Sequence, residues 1–168
     1  MDSARTRSDA PEAAAWWRQI LVPVRGGPEA PCRARLAFLL AAASGASVTF
    51  LYVVDERVLG DPEAGLVREA LEAQLAREGE AVLGAIGRLP EAAGVCYLTR
   101  VEVGPVVETI LRLARELQAD LIVVGAHRRT WLGRLLGQSV AESLLCQAAC
   151  AVLAVPPTET TPEPAPRP

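Results

Sequence analysis

The chain has 168 residues, 51% of them hydrophobic and 22% charged, with a net charge of −3 and a pI near 5.3. One domain of this size buries about two thirds of its unfolded surface, so it needs neither disulfides nor a metal to hold a core. The apolar runs are too short to cross a bilayer, and the acidic balance with dispersed arginines excludes the one-sided basic footprint of a nucleic-acid-binding domain.

Residues 1–18 are rich in Ala and charge and read as an N-terminal extension. With Asp2, Arg5, Arg7 and Asp9 and no apolar stretch ahead of a cleavage site, this segment does not read as a secretion signal, and the expected compartment is the cytoplasm. Trp16 and Trp17 are expected to pack on the edge of the domain that follows. Ile20 to Val24 is a short apolar run closed by Gly26-Gly27-Pro28, the pattern of a buried strand ending in a turn. Pro28 to Ser44 then predicts a helix with Cys32, Leu36, Leu39, Leu40 and Ala43 on its inner face, stopped by Gly45. Ser47 to Val54 is rich in β-branched and aromatic residues and predicts a second strand.

Asp61-Pro62 opens a long helical stretch in which Val67, Leu71, Leu75, Val82 and Ile86 recur at helical spacing up to Pro90. Gly65, Gly79 and Gly84 weaken the case for one unbroken helix. Val95 to Val103 is a third strand. Gly104-Pro105 starts a helix that turns Val107, Ile110, Leu111, Ala114 and Leu117 inward. Leu121 to Val124 is a fourth strand running into Gly125. After a loop come a helix from about Ser139 to Cys146 and a last strand, Ala151 to Val155. Pro156 to Pro168 holds six of the chain's 13 prolines with Thr and Glu, a composition that cannot build a core, so 157–168 is expected to be a disordered tail after a domain spanning 19–156.

The four cysteines (Cys32, Cys96, Cys146, Cys150) have apolar neighbours in sequence and are expected to be reduced core residues. Only Cys146 and Cys150 are close in sequence and no His stands near them, too few ligands for zinc.

Strands that alternate with helices and are apolar on both faces predict an α/β fold, a doubly wound five-stranded parallel sheet with helices on both faces. Ligands in such sheets sit beyond the carboxyl ends of the strands, where the strand order reverses. With order 3-2-1-4-5 that crevice lies between the first and fourth strands, and Arg25 and Gly125 face each other across it.

Three stretches resemble the universal stress protein family: Ile20 to Ala30 (ILVPVRGGPEA), Val101 to Gly125 (VEVGPVVETILRLARELQADLIVVG) and Gly125 to Val155 (GAHRRTWLGRLLGQSVAESLLCQAACAVLAV). The resemblance spans about residues 19–156. It implies strand order 3-2-1-4-5, a small cytoplasmic stress-response regulator, and a homodimer paired through the fifth strand, here Ala151 to Val155.

Members that bind ATP carry G-x-x-G, nine residues, then G-[S/T]. The glycines let the backbone reach the phosphates, and the hydroxyl and helix N-terminus hold anionic oxygens. Here Gly125 fits the first position, but Arg128 and Gln138 stand at the next two, with Ser139 at the last and Gly137 one place early. The first strand ends in Val24-Arg25-Gly26-Gly27, where ATP-binding members resemble V-D-x-S, so a positive charge stands where they carry a negative one. The resemblance maps the nucleotide-lining positions onto Pro23, Val24, Arg25, Val53, Val124, Gly125, His127, Arg128, Arg129, Gly137, Gln138, Ser139 and Val140.

These residues admit two readings. In the first, Arg128 fills the space of the phosphates and the site is degenerate. In the second, Arg25, Arg128 and Arg129 clamp phosphates with their side chains and ATP or AMP is bound. The missing glycines favour the first. Ser139 also has a plain structural role, since Ser139-Val140-Ala141-Glu142 fits a capping box, and Val53 fits an ordinary core position. His127 has no Ser, Cys or carboxylate at a recognisable motif spacing and does not read as a general base. Neither the S-G-G-x-D-S loop of ATP pyrophosphatases nor H-I-G-H of class I synthetases occurs, so the chain reads as a binding module and not an enzyme, with weak ATPase activity left open. A flavin carrier is supported by fold analogy alone.

Overall fold

The structure is a computed structural model that describes residues 16–27, 29–60, 65–126 and 139–156. Five parallel strands form one sheet in the order β3-β2-β1-β4-β5: β1 (Gln19–Val24), β2 (Ser47–Asp55), β3 (Tyr97–Gly104), β4 (Leu121–Gly125) and β5 (Ala151–Val155). The central strand β1 has Ile20, Leu21 and Val22 fully buried, because both faces of the sheet are covered. On one face, α1 (Ala30–Ser44) and α2 (Leu66–Gly87) enclose a core around Ile20, Val22, Phe38, Phe50 and Val123. On the other, α3 (Val106–Glu116) and α4 (Val140–Gln147) enclose Leu21, Leu51, Ile110, Ile122 and Leu144. Alternate residues of each strand serve alternate cores, the period-2 consequence of the pleat.

The inner face of α1 differs from the periodicity expectation. The helix buries Ala30, Arg33, Ala34, Ala37, Phe38 and Ala41, while Leu39 is 59% exposed and Ala43 lies in solvent. Shape decides here. The alanines let the helix approach the sheet closely, and Phe38 lies 5.0 Å from Phe50 and 5.5 Å from Tyr97 between ring centroids, contacts that favour tilted and edge-on geometry. Leu40, partly buried, packs at the edge of the same core, and Leu39 turns to solvent.

α2 is one continuous helix despite its glycines, although Val67 is 74% exposed rather than inward. Gly79 explains itself by contact: a Cβ there would lie 2.5 Å from Cδ1 of Tyr52, so only glycine lets this helix seat on β2. α3 turns Ile110 and Ala114 inward as expected and adds Leu113 and Thr109. Of the two tryptophans, Trp17 packs on the first core while Trp16 is 82% exposed. The cysteines are not core residues: Cys96 and Cys146 are exposed, Cys32 and Cys150 half-buried, and all four are free. They lie at the margins of helices and strands, where apolar neighbours in sequence do not become neighbours in space. Among the described residues, no helix is long and apolar enough to cross a membrane, and no group of side chains could hold a metal ion.

Candidate functional site

The sheet reverses its order between β1 and β4, and there the hydrogen-bonded ladder is short. β1 and β2 pair along the whole of β1, from Gln19–Ser47 to Val24–Tyr52. β4 and β5 pair from Leu121–Ala151 to Gly125–Val155. Between β1 and β4 the register holds only Ile20–Leu121 and Leu21–Ile122. Beyond those pairs the ladder stops, and the carboxyl ends of the two strands border the place where ligands of doubly wound sheets sit. Continuing the same register sets Val24 level with Gly125 and Arg25 level with Ala126, one place off the facing pair that the sequence suggests.

On the α3/α4 side of the sheet, Val53, Val124 and Val140 join one apolar cluster. Pro23 is half-buried and paired with Leu51. Val24 is buried in the opposite core, under α1 and α2. Ser139 is the N-cap of α4, and its side chain accepts a hydrogen bond of 3.1 Å from Glu142 N. Its own N–H donates to Glu142 Oε2, also 3.1 Å. The capping box anticipated from the sequence is thus closed, and it satisfies two of the donors that helix starts leave orphaned.

Arg25 is exposed at the end of β1. Burial raises the pKa of the Tyr52 hydroxyl, the Glu78 carboxylate adds to the rise, and the charge of Arg25 opposes it. Glu78 also stands by the turn, since a Cβ on Gly26 would lie 3.2 Å from Oε1 of Glu78. An acidic group thus returns to the end of β1, supplied by α2 instead of by the strand.

Sequence reasoning missed the most unusual side chain at this edge. Arg33, on the inner face of α1, has a side chain only 9% exposed. Its Nη1 donates to Glu29 Oε2 at 3.3 Å, and its Nε is buried with no hydrogen-bond partner among the described residues. Its guanidinium lies against the end of β4: a Cβ on Gly125 would fall 2.7 Å from Nη1 and 3.1 Å from Cζ. A side chain at Gly125 would therefore have to displace the end of the Arg33 side chain. The signal was present in Glu29 and Arg33, one helical turn apart in line with Ala34, Ala37 and Phe38, once the helix face is phased correctly. His127, Arg128, Arg129, Gly137 and Gln138 lie outside the described residues.

A five-stranded parallel sheet in this order, covered on both faces and reversing its strand order between β1 and β4, defines a doubly wound α/β protein, a class that takes ligands at its switch point. Residues 17–156 match the Universal stress protein family. The chain is 33% identical over 140 residues to universal stress protein MJ0531 of Methanocaldococcus jannaschii, which covers 83% of this chain and 82% of that protein. It superposes on universal stress protein UspA from Lactobacillus plantarum with a TM-score of 0.71 at 26% identity, covering 82% of this chain and 97% of that one. A universal stress protein in complex with cAMP is similar at 26% identity with a TM-score of 0.58, covering 84% and 98%. The chain belongs to the universal stress protein family.

Proposed function

We propose that this chain is a cytoplasmic, homodimeric stress-response regulator that binds an adenine nucleotide at the switch point between β1 and β4, and that it works as a ligand-responsive binding module, not as an enzyme. Residues 1–18 and 157–168 are appendages to that module. The observation that carries the reading is the reversal of strand order at β1 and β4, where their ladder stops short, beside the apolar cluster of Val53, Val124 and Val140. An adenine ring needs such a flat apolar wall, and its phosphates need the polar ends of the strands beyond it. A solved relative at 26% identity holds cAMP, which supports adenine recognition by the fold.

A degenerate, empty site is the second reading. It is favoured by the closed capping box, which already engages both the hydroxyl and the N–H of Ser139, together with Arg128 and Gln138 at glycine positions. Titration of the full chain with ATP, AMP and cAMP by calorimetry decides between the two. A saturable response to at least one of them is expected. If none binds, the site is degenerate.

A further inference from the structure

We infer that Arg33 is an anion-binding residue, the part of the site that takes a phosphoryl oxyanion of the bound ligand from the α1 side of the sheet. The inference rests on the nucleotide reading and names a ligand-holding group that the glycine pattern of the loop does not contain.

A guanidinium carries five N–H donors in a rigid fork and stays charged. Burying it is costly unless acceptors surround it. Arg33 is buried on the same face as the alanines of α1, yet the described residues give it one carboxylate oxygen, at 3.3 Å, from a glutamate 30% exposed at its side chain. That contact is longer than the roughly 2.7–2.9 Å of a strong charge-assisted bond. The Nε hydrogen is buried and has no hydrogen-bond partner among the described residues. The side chain therefore holds charge and donor capacity in reserve.

Its position says for what. The guanidinium packs on Gly125, the last residue of β4, and Gly125 stands level with Val24, beyond the end of the ladder between β1 and β4. Both observations place the unspent donors at the switch point of the sheet, not at an unrelated surface. A tetrahedral oxyanion matches the fork of an arginine in two directions, whereas a neutral group would leave the charge uncompensated. Glu29 then acts as the resident counter-charge, holding Arg33 in place when the site is empty and competing with the ligand for it. Glu29 is the N-cap of α1 but makes no side-chain capping bond, so its carboxylate is not needed to start the helix.

The test compares adenosine, ATP and inorganic pyrophosphate by calorimetry on the full chain and on Arg33→Met, with circular dichroism and thermal melting to show that the variant is folded. Loss of an arginine–phosphate contact is expected to weaken ATP and pyrophosphate by about tenfold or more and to leave adenosine unchanged. Glu29→Gln removes the competitor and is expected to tighten both phosphate ligands. It carries the test if Arg33→Met does not fold. A folded Arg33→Met with wild-type ATP affinity, or a Glu29→Gln with unchanged affinity, overturns the role of Arg33 and leaves nucleotide binding standing. Pyrophosphate binding that depends on Arg33 in a protein indifferent to adenosine supports Arg33 while overturning the adenine reading. A wild type that binds none of the three overturns both.

Discussion

Arg33 and Gly125 occupy one space, and each is intelligible only through the other. Adding a methyl group at Gly125 forces Arg33 out of a buried position, and overpacking of this kind costs about 1–3 kcal/mol. Gly125→Ala is therefore expected to lower the chemical denaturation midpoint, and the same change made on an Arg33→Ala background is expected to cost almost nothing, a coupling that a double-mutant cycle reads directly. A second residue-level expectation concerns alkaline pH. Tyr52 has its pKa raised by burial and by Glu78, so its folded value lies above its unfolded value near about 10. Its contribution is present below the unfolded pKa and is lost as pH rises through the folded one. Stability should fall above about pH 10, and Tyr52→Phe should flatten that part of the curve. Identical curves for both proteins would show that Tyr52 does not control it. The sequence alone made Gly125 look like a phosphate-loop glycine and left Arg33 unremarked, because a lone helical arginine ordinarily lies on a solvated face.

Among the elements, the strands were legible and one helix face was not. The inner strands β1, β2 and β4 are apolar almost throughout, and such a run has one stable solution, burial on both faces in a parallel sheet. α1 is apolar on most sides, so its period does not select a face, and the close fit of alanines, Phe38 and the sheet settles it. The glycines of α2 were read as weak points, yet Gly79 is where the helix touches Tyr52. Gly79→Ala is expected to destabilise the protein by about 1–3 kcal/mol through overpacking, although alanine is the better helix former by roughly 1 kcal/mol. A gain in melting temperature for this variant would mean that α2 can lift from β2 at no cost. The loop arginines and the second and third positions of the glycine pattern fall in 127–138, outside the described residues, so the sequence remains the source for that part of the site.

At the scale of the whole molecule the two sheet edges differ. β3 presents Arg100 and Glu102, charges that discourage pairing with another strand. β5 is short, carries no charge in Ala151–Val155, and leaves Leu153 38% exposed. Association through β5 is therefore the expected route to the homodimer, and light scattering should give twice the chain mass at micromolar concentration. Ala151 N–H and Val155 C=O bond to β4, so the alternate residue Ala154 turns its N–H to the free edge, and Ala154→Pro removes a backbone donor there and should yield monomer. A dimer that survives this change pairs elsewhere. The short ladder between β1 and β4 has one more consequence. It joins a three-stranded half to a two-stranded half, and it is fastened at its amino end, where Asp120 accepts hydrogen bonds from the N–H groups of Arg18 and Gln19 at 2.7 and 3.3 Å. The sheet is thus two leaves stitched along a short seam, and the carboxylate of Asp120 ties off that seam at its lower margin.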